Sequence, residues 1–241
     1  RKLVQEIEYI DFKNQKLVNS FIQKSIIIST VPPDKGGFDP VLSEYSENLN
    51  NFKNTCCYIS STSVYGSGLV FEDSLCKPDT KRGKIRYEIE KLWLQTCQNV
   101  QIFRSGGIYG LGRHPMIKFL DGNFEVTTKK NHYPNRINVE DLAKIILFSI
   151  QNHSPKRIIN VTDQKNVTTF DAIYYVTKEL GLTNPIPIDY EKAKISDMAR
   201  EFFLSSKTVR SKILSEDFNY NYIYPDYKKA LLYLTKLTME V

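Results

Sequence analysis

Residues 60–63 read Ser60-Ser61-Thr62-Ser63, a row of hydroxyls directly after the apolar run Thr55-Cys56-Cys57-Tyr58-Ile59. A hydroxyl both donates and accepts a hydrogen bond, so a strand ending this way has the make-up of an active-site edge for a polar ligand. Two other apolar runs end distinctively. Ser25-Ile26-Ile27-Ile28-Ser29-Thr30 stops at Val31-Pro32-Pro33, because proline cannot continue a central ladder. Val100-Gln101-Ile102-Phe103-Arg104 closes at Ser105-Gly106-Gly107, where glycines let the backbone pass close to a neighbour. Metal chemistry has no support. The cysteines Cys56, Cys57, Cys76 and Cys97 form no CxxC pair, and His114, His132 and His153 lack ligand spacing.

The elements that must position these ends alternate. Ile7–Phe12 reads as a short strand and Leu17–Gln23 as a helix; 25–30 is a strand and Pro40–Phe52 a helix. Thr55–Ser61 is a strand, Lys84–Cys97 a helix with Ile85, Ile89, Leu92 and Trp93 on one face, and 100–104 a strand. Strands apolar throughout, alternating with helices, predict a parallel sheet covered on both sides. Ligands of such sheets bind at the carboxyl edge, so the three strand ends should meet in one crevice. Adjacent Cys56 and Cys57 should face opposite sides of their strand. Further on, a strand at Arg136–Val139 precedes a helix at Glu140–Gln151, with Asn138 near the helix start and Asp141 structural. Arg157–Val161 is a strand. Thr168 or Thr169 caps a helix to Leu180 with Gly181 after it. Ile186–Asp189 is a short strand, Lys207–Leu214 a short helix, and a last helix runs from Tyr224 to Leu237.

The chain of 241 residues, 41% hydrophobic, has room for one large α/β domain with an appendage. Its net charge of +6 is dispersed, with no basic block for nucleic acid. No apolar run of membrane-spanning length and no signal peptide is visible, which points to the cytoplasm. The sequons at Asn160 and Asn166 are then chance occurrences. The chain starts at Arg1.

"YISSTSVYG" followed by Glu72, then Arg82-xxx-Arg86-xxx-Glu90, "FRSGGIYGLGR" and "RINVEDLAK" resemble the extended short-chain dehydrogenase/reductases. The NAD-dependent epimerase/dehydratase proteins are the nearest likeness, in a poorly characterised bacterial branch, as "KTVRSKIL" and "YPDYKKAL" also suggest. The resemblance implies a Rossmann-like doubly wound parallel sheet with a small mixed α/β C-terminal substrate lobe. It divides the chain into 1–112, a dinucleotide-binding domain, and 113–241, a mixed region with the substrate lobe, some of whose segments return to the first domain. It implies NAD or NADP as cofactor and a nucleotide sugar as substrate. Cofactor contacts fall on Asp11, Phe12, Val31, Pro32, Pro33, Ser60, Arg86, Gly106, Gly107 and Ile108. Ser61 takes the family's catalytic Ser/Thr position, and Thr62, Arg82, Arg113 and Arg136 complete the substrate contacts.

Two departures follow. The family's acid/base Tyr and its Lys fall on Arg82 and Arg86. The chemistry needs a phenol drawn toward neutrality by a cation. A guanidinium stays protonated, so Arg82 is no proton acceptor, while Arg86 still serves as a cation. Tyr65 and Tyr87 are nearby phenols that read as packed aromatics. The family's first strand and Gly-rich phosphate turn have no counterpart, and Ile7–Phe12 aligns with its third strand. The fold is therefore expected to lack its first βαβ piece, an N-terminal truncation that leaves strand 26–30 bare on one side and prone to aggregation or to pairing with a separate N-terminal fragment. Three functions remain open: an NAD(P)-dependent epimerase/dehydratase-like enzyme, a non-catalytic nucleotide-binding or regulatory protein whose Arg82 and Arg86 clamp an anion, and an inactive gene fragment.

Overall fold

The computed structural model describes residues 10–22, 25–152, 157–163, 165–204 and 206–240. In chain order the elements are α1 (Gln15–Ile22), β1 (Ile27–Ser29), α2 (Pro40–Asn50), β2 (Cys56–Ser61), β3 (Gly68–Val70), α3 (Lys81–Thr96), β4 (Val100–Ser105) and β5 (Gly107–Tyr109). Then come α4 (Met116–Leu120), β6 (Glu125–Thr128), β7 (Arg136–Asn138), α5 (Val139–Gln151), β8 (Arg157–Val161) and α6 (Thr169–Leu180). The chain closes with β9 (Ile186–Asp189), α7 (Asp197–Leu204), β10 (Lys207–Val209) and α8 (Tyr227–Met239).

The apolar runs form one parallel sheet in the order β1-β2-β4-β8. Its two faces are covered differently. Cys56, Tyr58, Val100 and Ile102 pack under Leu49 of α2 and Ile89 and Trp93 of α3. Cys57, Phe103, Ile159 and Val161 pack on the other face under Leu142, Ile145 and Ile146 of α5. The adjacent cysteines thus point opposite ways, as β-pleating requires. Tyr58 stacks on Trp93 with ring centroids 5.2 Å apart. A separate core joins Met116 and Phe119 of α4 to α6 and α8 in the C-terminal half.

The helix starts follow from their caps. Asp39 accepts from the Val41 and Leu42 amides, Thr80 from Gly83, and Asn138 from Glu140. Thr168 caps α6 and Gly181 ends it at φ +63°. Asp141 receives the Ile223 and Tyr224 amides and the Tyr220 hydroxyl, tying α5 to the chain before α8.

Three expectations are corrected. Residues 11 and 12 are not strand: they belong to the turn that leads into α1, and Ile7–Tyr9 lies outside the described residues, as do Gln23 and His153. Lys207–Val209 is a strand pairing in parallel with β3, not a helix start, and a π-helical turn occupies Ile213–Asp217. The expected helix over 207–214 fails because Gly68–Val70, far away in sequence, supplies a ladder partner. The final helix starts at Tyr227, after its Asp226 cap, because that carboxylate accepts the Lys228 amide.

Candidate functional site

Neighbouring parallel strands bring their carboxyl ends to one edge. Pro32 and Pro33 follow β1, Ser60 and Ser61 end β2, and Gly106 and Gly107 follow β4. Ser61 lies directly opposite Ser105 in the β2–β4 register. Ser61 Oγ accepts the Ser63 amide at 3.2 Å, which starts the 3₁₀ turn Thr62–Val64 and leaves the hydroxyl hydrogen free to be donated.

Ser60 does something else. Its hydroxyl donates to Glu90 Oε1 at 2.5 Å, inside the body of the protein. Glu90 holds Arg104 in a bidentate pair, 2.7 Å at its closest, with both side chains at most 3% exposed. Arg104 also donates to the Tyr65 hydroxyl at 2.7 Å, which in turn donates to Asn160 Oδ1 at 2.8 Å. The Asn160 amide is received by Glu72 Oε1 at 3.1 Å. Burial opposes the Arg104 charge, and Glu90 more than restores it. Burial pushes the Tyr65 phenol up to about 12 against the pull of Arg104, so it stays protonated and internal.

The first turn of α3 presses on the hydroxyl turn. A Cβ at Gly83 would sit 2.3 Å from the Ser63 carbonyl oxygen. Arg82 is exposed there. Arg86 is half-buried and donates to the Tyr58 hydroxyl at 2.7 Å and the Ile59 carbonyl at 3.3 Å. Tyr87 lies under the Lys91 ammonium, 4.4 Å from its ring. Of the two glycines, Gly106 is buried hard against the Asn135–Arg136 backbone, where a Cβ would meet atoms at 2.8–2.9 Å. Gly107 is exposed and Ile108 half-buried. Thr62 is buried, Val31 half-buried and Pro32 exposed.

The remaining sequence-derived positions are spread out. Asp11 and Phe12 are exposed, anchored to α2 by the Tyr45 hydroxyl on the Phe12 carbonyl. Arg113 is exposed on the turn it closes with Gly110. Arg136 is buried, donates to the Val167 and Pro134 carbonyls and Thr169 Oγ1, and lies 4.1 Å over the Tyr227 ring. It braces β7 against the C-terminal half.

Sequence reasoning missed two groups. Lys207 Nζ donates to the Thr62 carbonyl at 3.3 Å and to the Tyr65 carbonyl. Burial lowers its pKa, with Asp79 acting the other way. Asp163, just beyond β8, is buried; its Oδ2 and the Tyr109 hydroxyl have no hydrogen-bond partner among the described residues. Burial pushes Asp163 up to about 7, with Arg136 and Arg210 opposing. No local motif marks either residue; both are defined by strands that meet from far apart.

No protein-family profile matches the chain. Protein YeeZ of Escherichia coli (strain K12) is 28% identical over 176 residues, 70% of this chain and 58% of that relative. This chain therefore spans less than two thirds of the length of that curated relative. A functionally unknown conserved protein from Silicibacter pomeroyi DSS is 31% identical, with a TM-score of 0.81 over 88% of this chain and 77% of that one. The chain belongs to the same family as that protein. It shares its fold, at 14% identity, with the dTDP-glucose 4,6-dehydratase of Bacillus anthracis str. Ames in complex with NAD. That superposition has a TM-score of 0.73 over 94% of this chain and 77% of the dehydratase. Among the described residues no helix is long and apolar enough to cross a membrane.

Proposed function

We propose that this chain is an NAD(P)-binding protein of the epimerase/dehydratase kind that takes a nucleotide sugar. The observation that carries the reading is the shared edge of β1, β2 and β4, with hydroxyls, prolines and an open glycine side by side. Ser61 and Thr62 are assigned to a sugar hydroxyl, and Val31, Pro32, Pro33, Gly107 and Ile108 to the walls of the cofactor. Arg82 and Arg113, both exposed, are free to meet a diphosphate. Residues 1–112 then serve the dinucleotide, and 113–241 are a mixed region that carries the substrate lobe while its β8 and α5 return to the main sheet.

The described residues fit only part of a dinucleotide. The β1–α2 connection contains Gly36 and Gly37, yet the α2 amides at its N-terminus are already taken by Asp39. An anion finds no free donors there. The reading therefore includes a strand–turn–helix segment, supplied alongside β1, that holds the phosphates. The free thiols support a reducing, cytoplasmic setting. The cofactor, when bound, supplies hydride exchange at a sugar carbon; Ser61 orients the oxygen of that carbon.

A second reading is a binding protein without turnover. It is favoured by Arg82 in the acid/base position and by Arg86 being engaged with Tyr58 and Ile59. Fluorescence titration with NADH and NADPH tests both: saturable binding below millimolar concentration is expected, and no binding at millimolar ends the cofactor reading. Binding without conversion of dTDP-glucose or UDP-glucose to a dehydrated or epimerised sugar favours the second.

A further inference from the structure

The hydroxyl edge needs a group that exchanges protons, and most side chains around it do not provide one. Arg82 is a permanent cation. Tyr65 is fully buried between Arg104 and Asn160. Ser60 is turned inward onto Glu90. Lys207 is different in kind. It reaches the same turn from β10, and its amine lies on the Thr62 carbonyl, one peptide beyond Ser61.

Its setting is fixed from three directions. The Tyr65 carbonyl that accepts from Nζ belongs to the residue whose phenol Arg104 and Asn160 lock in place. Asn135, which receives the Gly107 amide through its carbonyl, donates through its side chain to the Lys207 carbonyl at 3.0 Å and accepts the Val209 amide at 2.9 Å. One residue thus ties Lys207 to the open glycine of the edge. Two neutral carbonyls hold the amine, and the charged group facing it is Asp79, from the loop before α3. An ammonium held by carbonyls alone loses its proton more readily than one paired with a carboxylate.

We propose that Lys207 Nζ is the proton-exchanging group of this edge, acting on the ligand oxygen that Ser61 holds. The inference rests on the cofactor-and-sugar reading of this edge. In the oxidising direction the carbinol O–H proton passes to the neutral amine. The C–H hydrogen leaves with its electron pair for the nicotinamide of NAD(P)+, and a carbonyl remains.

The test uses the full chain as wild type, Lys207→Arg and Lys207→Met. Trace labelling of amines with acetic anhydride across a pH series, read peptide by peptide by mass spectrometry, should place the Lys207 midpoint below the ordinary lysine value. A Lys207 midpoint that is not lowered, or a Lys207 that takes no label at any pH, overturns the proposal. Lys207→Arg keeps both carbonyl contacts, so its Tm and NADPH affinity should match wild type. Its conversion of dTDP-glucose or UDP-glucose to a dehydrated or epimerised sugar should fall about 100-fold or more. Undiminished conversion in Lys207→Arg also overturns it. Failure of NADPH to bind wild type defeats the cofactor reading alone, and the labelling still decides on Lys207.

Discussion

Asp163 is a carboxyl group kept from water whose Oδ2 has no hydrogen-bond partner among the described residues. Arg136 lies near it but has committed its guanidinium to Val167, Pro134 and Thr169, and Arg210, Asp226 and Asp141 supply the other charges around it. With its pKa raised from 3.8 to about 7, the folded chain binds this proton more tightly than the unfolded chain does. The contribution of this one group is therefore complete below about pH 4, declines as pH rises, and its full penalty stands above about pH 7. Asp163→Asn should remove that slope and raise stability above pH 7 by a few kcal/mol at most, at about 1.4 kcal/mol for each tenfold difference in proton affinity. Urea unfolding at pH 5 and pH 8 checks this; equal gains at both pH values count against an ionising Asp163. Single residues of this kind are the least legible in a sequence. Asp163 stands in an ordinary polar stretch, and only the convergence of β7, β8 and α8 makes it special. Ser61, by contrast, announces itself because its neighbours are also hydroxyls and the strand before it is plainly apolar.

At the level of elements, α3 is seated through Gly83. Its missing side chain lets the helix touch the Ser63 carbonyl, with the Pro78 ring behind it at 3.0 Å from a would-be Cβ. Gly83→Ala should cost about 2 kcal/mol or more by forcing backbone apart, despite the better helix propensity of alanine. The same substitution should weaken NADPH binding through displacement of Ser61, and thermal melts with titration read both effects. The long elements are legible in the sequence because their signals are local: apolar runs for β1, β2 and β4, fourfold spacing for α5, and capping residues for α6. The short strands β3 and β10 are not. Gly68-Leu69-Val70 and Lys207-Thr208-Val209 carry no alternation long enough to read, and each is a strand only because the other is there. The group with the best claim to chemistry, Lys207, is hidden in one of those segments.

For the molecule as a whole, β1 is the exposed margin. Among the described residues it pairs with β2 alone, and Ile26 and Ile28 are 50% and 44% exposed. Parallel sheets are normally covered on both faces, and an edge strand left bare can pair with another chain. Ile28→Lys should leave stability within about 0.5 kcal/mol of wild type, since nearly half of that side chain is already in water. It should reduce self-association, as read by size exclusion with light scattering. An unchanged association state would show that this margin is not where copies meet.

The opposite margin behaves differently. At β8 the Glu72 carboxylate receives the Asn160 amide, standing where the carbonyl of a further strand would have to come. Among the described residues, then, the two margins of the main sheet differ: a side chain already occupies a ladder donor at β8, whereas β1 keeps its outer ladder open to an added strand.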